Sequence, residues 1–92
     1  MPVGFDTLDF GASSTGSMMT ETVITGQIDI VAGSNAEAFL MYEDSADHTA
    51  AEHLVSLIRL ACGDIVPGVG FTIHALSELS LNGTFKVRWV WA

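Results

Sequence analysis

Residues 70–92 read GFTIHALSELSLNGTFKVRWVWA, and their pattern decides the fold class. Apolar side chains recur at every second position over 71–75 and again over 85–91, which is the period of a β-strand with one buried face. Asn82 and Gly83 separate the two runs and form the dipeptide that favours a tight type I′ turn. The stretch therefore predicts a β-hairpin.

Two further strands are predicted upstream. Residues 21–33, ETVITGQIDIVAG, place Ile24, Ile28 and Ile30 on one face of a strand. Residues 37–44, EAFLMYED, offer a short strand that is dense in β-favouring side chains. Short strands separated by turns are typical of sandwiches and barrels.

Residues 48–65, HTAAEHLVSLIRLACGDI, fit two structures. In the first, a capping box opens a helix over about 49–62, which would make the fold α+β. In the second, a short helical turn near 48–53 precedes a strand over 54–62. We favour the second, because the later residues show little helical amphipathicity and a strand there restores the strand spacing of a sandwich.

The N-terminal segment differs in composition from the rest. Residues 1–20 are rich in Gly, Ser and Thr, which predicts an extended or flexible N-terminal arm. Residues 21–92 then form a single β domain. The fold class that we predict is all-β, an antiparallel β-sandwich or jelly-roll-like domain of about five to seven strands.

The hydrophobic content is high for so short a chain. Hydrophobic residues make up 49% of the 92 residues before the nine glycines are counted, whereas about 45–50% is typical with glycine included. A small domain has few interior positions, so part of this apolar surface must face outward. Large exposed apolar patches usually mark contacts with other chains, which predicts a homo-oligomer or a component of an assembly.

The charge is distributed unevenly. Residues 1–53 contain nine of the eleven acids and no Lys or Arg, while residues 54–92 contain Arg59, Lys86 and Arg88. Because phosphates and anionic lipids are bound by clustered cations, neither nucleic acid nor a membrane is an expected partner. This separation of acids and bases along the chain suits head-to-tail packing, in which an acidic face of one copy meets these bases in the next. Charge that serves only solubility is the other interpretation.

Cysteine content and targeting signals narrow the class further. The single Cys62 excludes an internal disulfide framework, and we predict that it packs as a small buried hydrophobe. The first residues lack the basic and apolar regions of a signal peptide, and no apolar run is long enough to cross a bilayer. We expect a chain that is made in a cytoplasm.

Residues 45–53, SADHTAAEH, raise the question of a metal site. The candidate ligands are Asp47, His48, Glu52 and His53. The helical zinc motif HExxH needs histidines four residues apart, and here they are five apart, so the spacing fails. We favour a solvated, capped turn and predict no metal or other cofactor. No catalytic constellation stands out elsewhere, so we predict that the chain is not an enzyme.

The last predicted strand offers a surface for a partner chain. Its apolar face could be core, and for the tryptophans this is the stronger interpretation, or it could be an interface with aromatic anchors. The candidate interface residues are Phe85, Val87, Trp89, Trp91, Arg59, Lys86 and Arg88.

Four segments of the chain resemble small structural proteins of tailed bacteriophages. They are DFG at 9–11, ADHTAAEH at 46–53, GDIVPGVGFTIHA at 63–75 and GTFKVRWVWA at 83–92. The resemblance implies a virion component, made in the host cytoplasm and present in many copies, that self-associates and docks onto other virion proteins. Head decoration and tail-fibre or tail-tip roles both fit it.

A carbohydrate-binding module at a fibre tip is the alternative function. Trp89, Trp91 or Tyr42 would then be platforms on which the sugar rings of a host glycan stack.

Overall fold

The computed structural model describes residues 2–12, 16–55 and 57–92, and these contain six strands and one short helix. Within this part of the chain, no helix has the length and hydrophobicity that a membrane crossing needs. The elements are β1 (Val3–Asp9), β2 (Ser17–Ile24), β3 (Ala36–Leu40), α1 (Ala50–Val55), β4 (Ile58–Val66), β5 (Gly70–Leu81) and β6 (Thr84–Trp91).

The strands form two three-stranded antiparallel sheets. The first has the order β1-β6-β3 and the second the order β2-β5-β4. The prediction of an all-β sandwich with a short helical turn near 48–53 is confirmed, and a long helix over 49–62 is not formed.

The core lies between the two central strands. The inward side chains of β5 are Phe71, Ile73 and Ala75. Those of β6 are the ones that its sequence alternation predicts, Phe85, Val87, Trp89 and Trp91. The rings of Phe71 and Trp89 meet edge to face across the core, with centroids 5.6 Å apart. Aromatic pairs in this geometry add to the free energy of burial.

The predicted β-hairpin is wrong, although both of its strands form. β5 and β6 belong to different sheets, and residues 82–83 cross from one sheet to the other. Gly83 has a φ of 74°, but Asn82 does not have the positive φ that a type I′ turn requires. Face-to-face packing buries the same alternate positions as a hairpin would, and it lets each apolar face cover the other.

The described residues of the N-terminal segment, 2–12 and 16–20, belong to the domain and do not form a separate arm. β1 pairs with β6 along its length, and Leu8 and Phe10 are fully buried. Hydroxyl groups close the side between β1 and β2: Thr20 donates to the Asp9 carbonyl at 2.7 Å and Thr22 to the Thr7 carbonyl at 2.9 Å. The predicted boundary at residue 20 therefore falls inside β2.

The strand predicted over 21–33 ends early. β2 stops at Ile24, and Gly26, with a φ of 79°, begins a loop that breaks the period of two. Ile24 and Ile30 are buried, whereas Ile28, which was predicted to lie on the same face, is 80% exposed.

The segment after residue 49 contains a short helix followed by a strand, which is the alternative that we favoured, but both elements have shifted boundaries. α1 is one short helix with a reciprocal capping box: the Thr49 N–H donates to the Glu52 carboxylate at 2.8 Å, and the Glu52 N–H donates to the Thr49 hydroxyl at 3.2 Å. The next strand begins at Ile58, later than the predicted Leu54, and continues past Cys62 to Val66. A bulge at Asp64, whose φ is 51°, interrupts its pairing with β5.

Candidate interaction surfaces

Three of the four candidate metal ligands, Asp47, His48 and His53, bond to residues 82–86 at the crossing from β5 to β6. The fourth, Glu52, bonds to Thr49 in the capping box. The Asp47 carboxylate accepts two hydrogen bonds from Thr84, one from its hydroxyl and one from its N–H, each at 2.8 Å. These bonds, that of the hydroxyl first, lower the pKa of Asp47. The pKa of Glu52 is lowered in the same way, mainly by the Thr49 N–H of the capping box.

The two histidines pack on Phe85. The His48 ring stacks on the Phe85 ring at 4.1 Å, and its Nε2 lies 2.6 Å from the Asn82 carbonyl oxygen. His53 is only 2% exposed, and its Nε2 accepts a hydrogen bond of 2.9 Å from the Lys86 N–H. Since an amide N–H can only donate, that Nε2 carries no proton. Nδ1 therefore bears the proton and donates to the Thr49 carbonyl at 2.8 Å.

This arrangement is structural. The capped turn that we favoured is present, but His53 is a buried residue and not a solvated one. Across the described residues, no group of three or more His, Cys, Asp or Glu side chains is placed to hold a metal ion.

The apolar half of the predicted interface is not accessible. All four of these side chains lie in the core of the single chain, so no partner can contact them. The indole N–H of Trp91 is already bonded to the Gln27 side chain at 2.9 Å. Phe85, Val87, Trp89 and Trp91 are therefore core residues of the single chain and not an interface.

The outward side of the first sheet carries aromatic rings around a cation. In register across the three strands lie Phe5, Arg88 and Phe39. Phe5 is 62% exposed and Phe39 52%, and the Arg88 guanidinium lies 4.8 Å from the centroid of the Phe5 ring. We call this side the cationic face; its residues are Val3, Phe5, Thr7, Lys86, Arg88, Val90, Glu37 and Phe39.

The outward side of the second sheet carries a histidine between two acids. His74 Nδ1 lies 3.6 Å from the Glu21 carboxylate, and His74 Nε2 lies 2.7 Å from the Asp64 carboxylate. All three side chains are largely exposed. We call this side the anionic face; its residues are Met19, Glu21, Val23, Thr72, His74, Leu76, Arg59, Ala61, Gly63 and Asp64.

A shallow apolar depression of about 230 Å³ lies on the anionic face, because Ala61 is small beside its longer neighbours. Its outward lining is formed by Met19, Arg59, Ala61, His74 and Leu76.

The bases have no acidic partner in the described part of the chain. Its salt bridges all involve histidine, and none includes Arg59, Lys86 or Arg88. In a chain with eleven acids, this leaves the three cations available to carboxylates of another molecule.

The single chain is as compact as a folded monomer, but many of its large hydrophobic side chains are exposed. Its accessible surface is 5469 Å², close to the ~5200 Å² expected for a folded monomer of this mass. Even so, many large hydrophobic side chains are exposed, including Ile28, Leu54, Leu57 and Leu79 beyond the two faces.

Cys62 packs against the core and is half-buried, in line with the expected small hydrophobe. Burial, with a smaller contribution from the charge of Glu37, raises the pKa of its thiol. A protonated thiol is a weak nucleophile, so this residue does not resemble a reactive cysteine.

The expected sugar platforms are mostly absent from the surface. Trp89 and Trp91 are buried, so they cannot stack on a glycan. Tyr42 is 66% exposed and is the one member of that set that a sugar could reach.

Sequence reasoning missed the aromatic pair of the cationic face and the acid pair of the anionic face. The composition of residues 1–20 predicts an arm at Phe5, and the pattern of residues 37–44 predicts only a strand at Phe39. The signal was available in β1, VGFDTLD, where Val3 and Phe5 have the opposite parity to the buried Leu8. A strand with apolar residues on both faces is covered on both sides or meets a partner.

Comparison with protein families, with curated proteins and with solved structures found no match.

Proposed function

We propose that this chain is a structural, non-catalytic subunit that self-associates through its outer sheet faces, as a virion protein of a tailed bacteriophage that docks on the particle. The observation that carries the self-association is the set of large hydrophobic side chains left exposed by a closed monomer. The resemblance of four sequence segments to phage structural proteins supplies the virion setting.

The energetics require whole faces to be covered. Burying ~500 Å² of apolar surface contributes about 12 kcal/mol, whereas association costs about 4–15 kcal/mol in lost translational and rotational freedom. Single exposed side chains would not offset that cost. A sheet face with several apolar side chains and a cation is a surface of the required kind.

Docking on the particle is tested with phage particles that lack this protein. Purified protein should cosediment with such particles and saturate at a fixed number of copies per particle. Two charge-reversal variants distinguish specific docking from nonspecific adhesion. Arg88→Glu, in the cationic face, should weaken cosedimentation, whereas Asp29→Lys, in the 25–35 loop, should leave it unchanged. Failure to cosediment, or cosedimentation without saturation, would count against the virion role.

A glycan-binding role is the second candidate, and only the exposed Tyr42 favours it. A glycan screen of the purified protein and of its Tyr42→Ala variant tests this directly. Binding that the substitution abolishes would support the second candidate.

A further inference from the structure

We infer that copies of this chain stack front to back, with the cationic face of one copy seated on the anionic face of the next. This inference rests on the proposed self-association and specifies the two surfaces that meet.

Charge selects this pairing over the symmetric ones. The cationic face carries Lys86 and Arg88, with Arg88 at its centre and the acids Glu37 and Glu43 toward its edges. If two cationic faces met, the Arg88 side chains at the centres of the middle strands would oppose each other. On the anionic face, Glu21 and Asp64 lie on either side of the central His74, and Arg59 lies one row away, paired with Leu76. Two such faces stacked centre on centre would bring the carboxylates together. Like charges brought together at an interface oppose association, and opposite charges favour it.

The central rows of the two faces are complementary in chemistry. Arg88 is the middle residue of its row and has no acidic partner among the described residues. His74 is the middle residue of the opposing row, with its two carboxylates beside it. Centre-on-centre stacking places the guanidinium against these carboxylates, where two parallel hydrogen bonds can form.

The apolar groups also fit. The cationic face presents the exposed rings of Phe5 and Phe39, and the anionic face presents the depression beside Ala61. Phe5 already lies under Arg88, so Phe39 is the ring that we assign to the depression.

The dimensions of the molecule set the upper limit of one contact. The molecule measures 38 × 23 × 19 Å, so its broadest side has a projected area of about 870 Å², close to the ~800 Å² per partner of a standard interface. A front-to-back contact uses two different surfaces of each copy. Such contacts close into a ring or continue as a filament, according to the rotation between neighbours.

Complementary blocked variants test the stacking. Arg88→Glu blocks the cationic face and leaves the anionic face intact, and Ala61→Trp, which fills the depression without adding a charge, does the reverse. Each variant alone should be monomeric by light scattering after size exclusion. An equimolar mixture should form a dimer of twice the 9.8 kDa chain mass and nothing larger, because only one productive contact remains.

Several outcomes would overturn the inference. A mixture that stays monomeric while the unmodified chain assembles refutes the stacking but not the self-association, and so does a stable dimer of either variant alone. An unmodified chain that is monomeric refutes both. Asp29→Lys, in the exposed 25–35 loop, is the charge-reversal control and should assemble like the unmodified chain. Unfolding curves verify that each variant folds. If one does not, Phe39→Ser, which removes the ring assigned to the depression, replaces Arg88→Glu, and Leu76→Glu, which puts a charge in the lining of the depression, replaces Ala61→Trp.

Discussion

Gly4 lies directly against the indole ring of Trp89, its pairing partner across β1 and β6, and any side chain at Gly4 would overlap that ring. A buried tryptophan at the centre of β6 thus depends on a glycine in a segment that appears from its composition to be an arm. Gly4→Ala should lower the free energy of unfolding by about 1–3 kcal/mol, the usual cost of overpacking a core.

Gly33→Ala is the matched control for that prediction. An added Cβ at Gly33 meets nothing within 4 Å, so its effect should stay within about 0.5 kcal/mol. Urea unfolding of the two variants checks both values, and equal stability of the two would contradict the placement of Trp89.

The closure between β1 and β2 depends on two threonine hydroxyls. Replacing Thr20 or Thr22 by valine keeps the shape but removes the donor to a β1 carbonyl. Each substitution should cost about 0.5–1.5 kcal/mol and should speed hydrogen exchange in β1. Thr25→Val, in the exposed loop, is the control. If exchange in β1 does not change, the hydroxyl bonds do not hold that edge.

The proton on His53 is fixed by its two partners. Nitrogen NMR should show the tautomer with the proton on Nδ1, because the Lys86 N–H occupies Nε2. His53→Phe keeps a ring in place but leaves the partly buried Lys86 N–H without its His53 acceptor, which should cost about 1–3 kcal/mol. Finding the proton on Nε2 would mean that the contact with β6 is not formed.

Stability should fall in acid, because Asp47 and Glu52 have lowered pKa values in the folded chain. A carboxyl of this kind stabilises the fold above its unfolded pKa, which is about 4. That contribution is lost as the pH falls through the lower folded pKa.

Asp47→Asn and Glu52→Gln should each flatten the decline in stability below about pH 4. Thr84→Val removes the hydroxyl donor to Asp47 and should have a similar, smaller effect. Urea unfolding at a series of pH values is the measurement. A decline equally steep in all four proteins would assign the acid sensitivity to other groups.

The strands were predictable where alternation is strong, and their pairing was not. In residues 70–92, alternation fixes which side chains are inward, and this is the same whether β5 and β6 pair in one sheet or stack in two. The choice depends on which backbone pairs with β6, and this is β1 on one side and β3 on the other. β1 lies in a segment whose Gly and Ser content suggests disorder, so its role was hidden.

The candidate sites were likewise predictable only where they depend on a local sequence pattern. The polar stretch at 45–53 was recognisable as a capped turn from the spacing of Thr49 and Glu52, which is a local pattern. The burial of His53 was not predictable, because its partner at Lys86 is distant in sequence. The outer faces required the register of the strands, which brings Phe5, Arg88 and Phe39 into one row.

Sedimentation equilibrium of the unmodified chain over a wide concentration range tests the central claim, that neighbouring copies cover the exposed hydrophobic side chains. If copies associate in this way, the mass rises above 9.8 kDa to a multiple of it. A mass that stays at 9.8 kDa up to the highest concentration would contradict that claim.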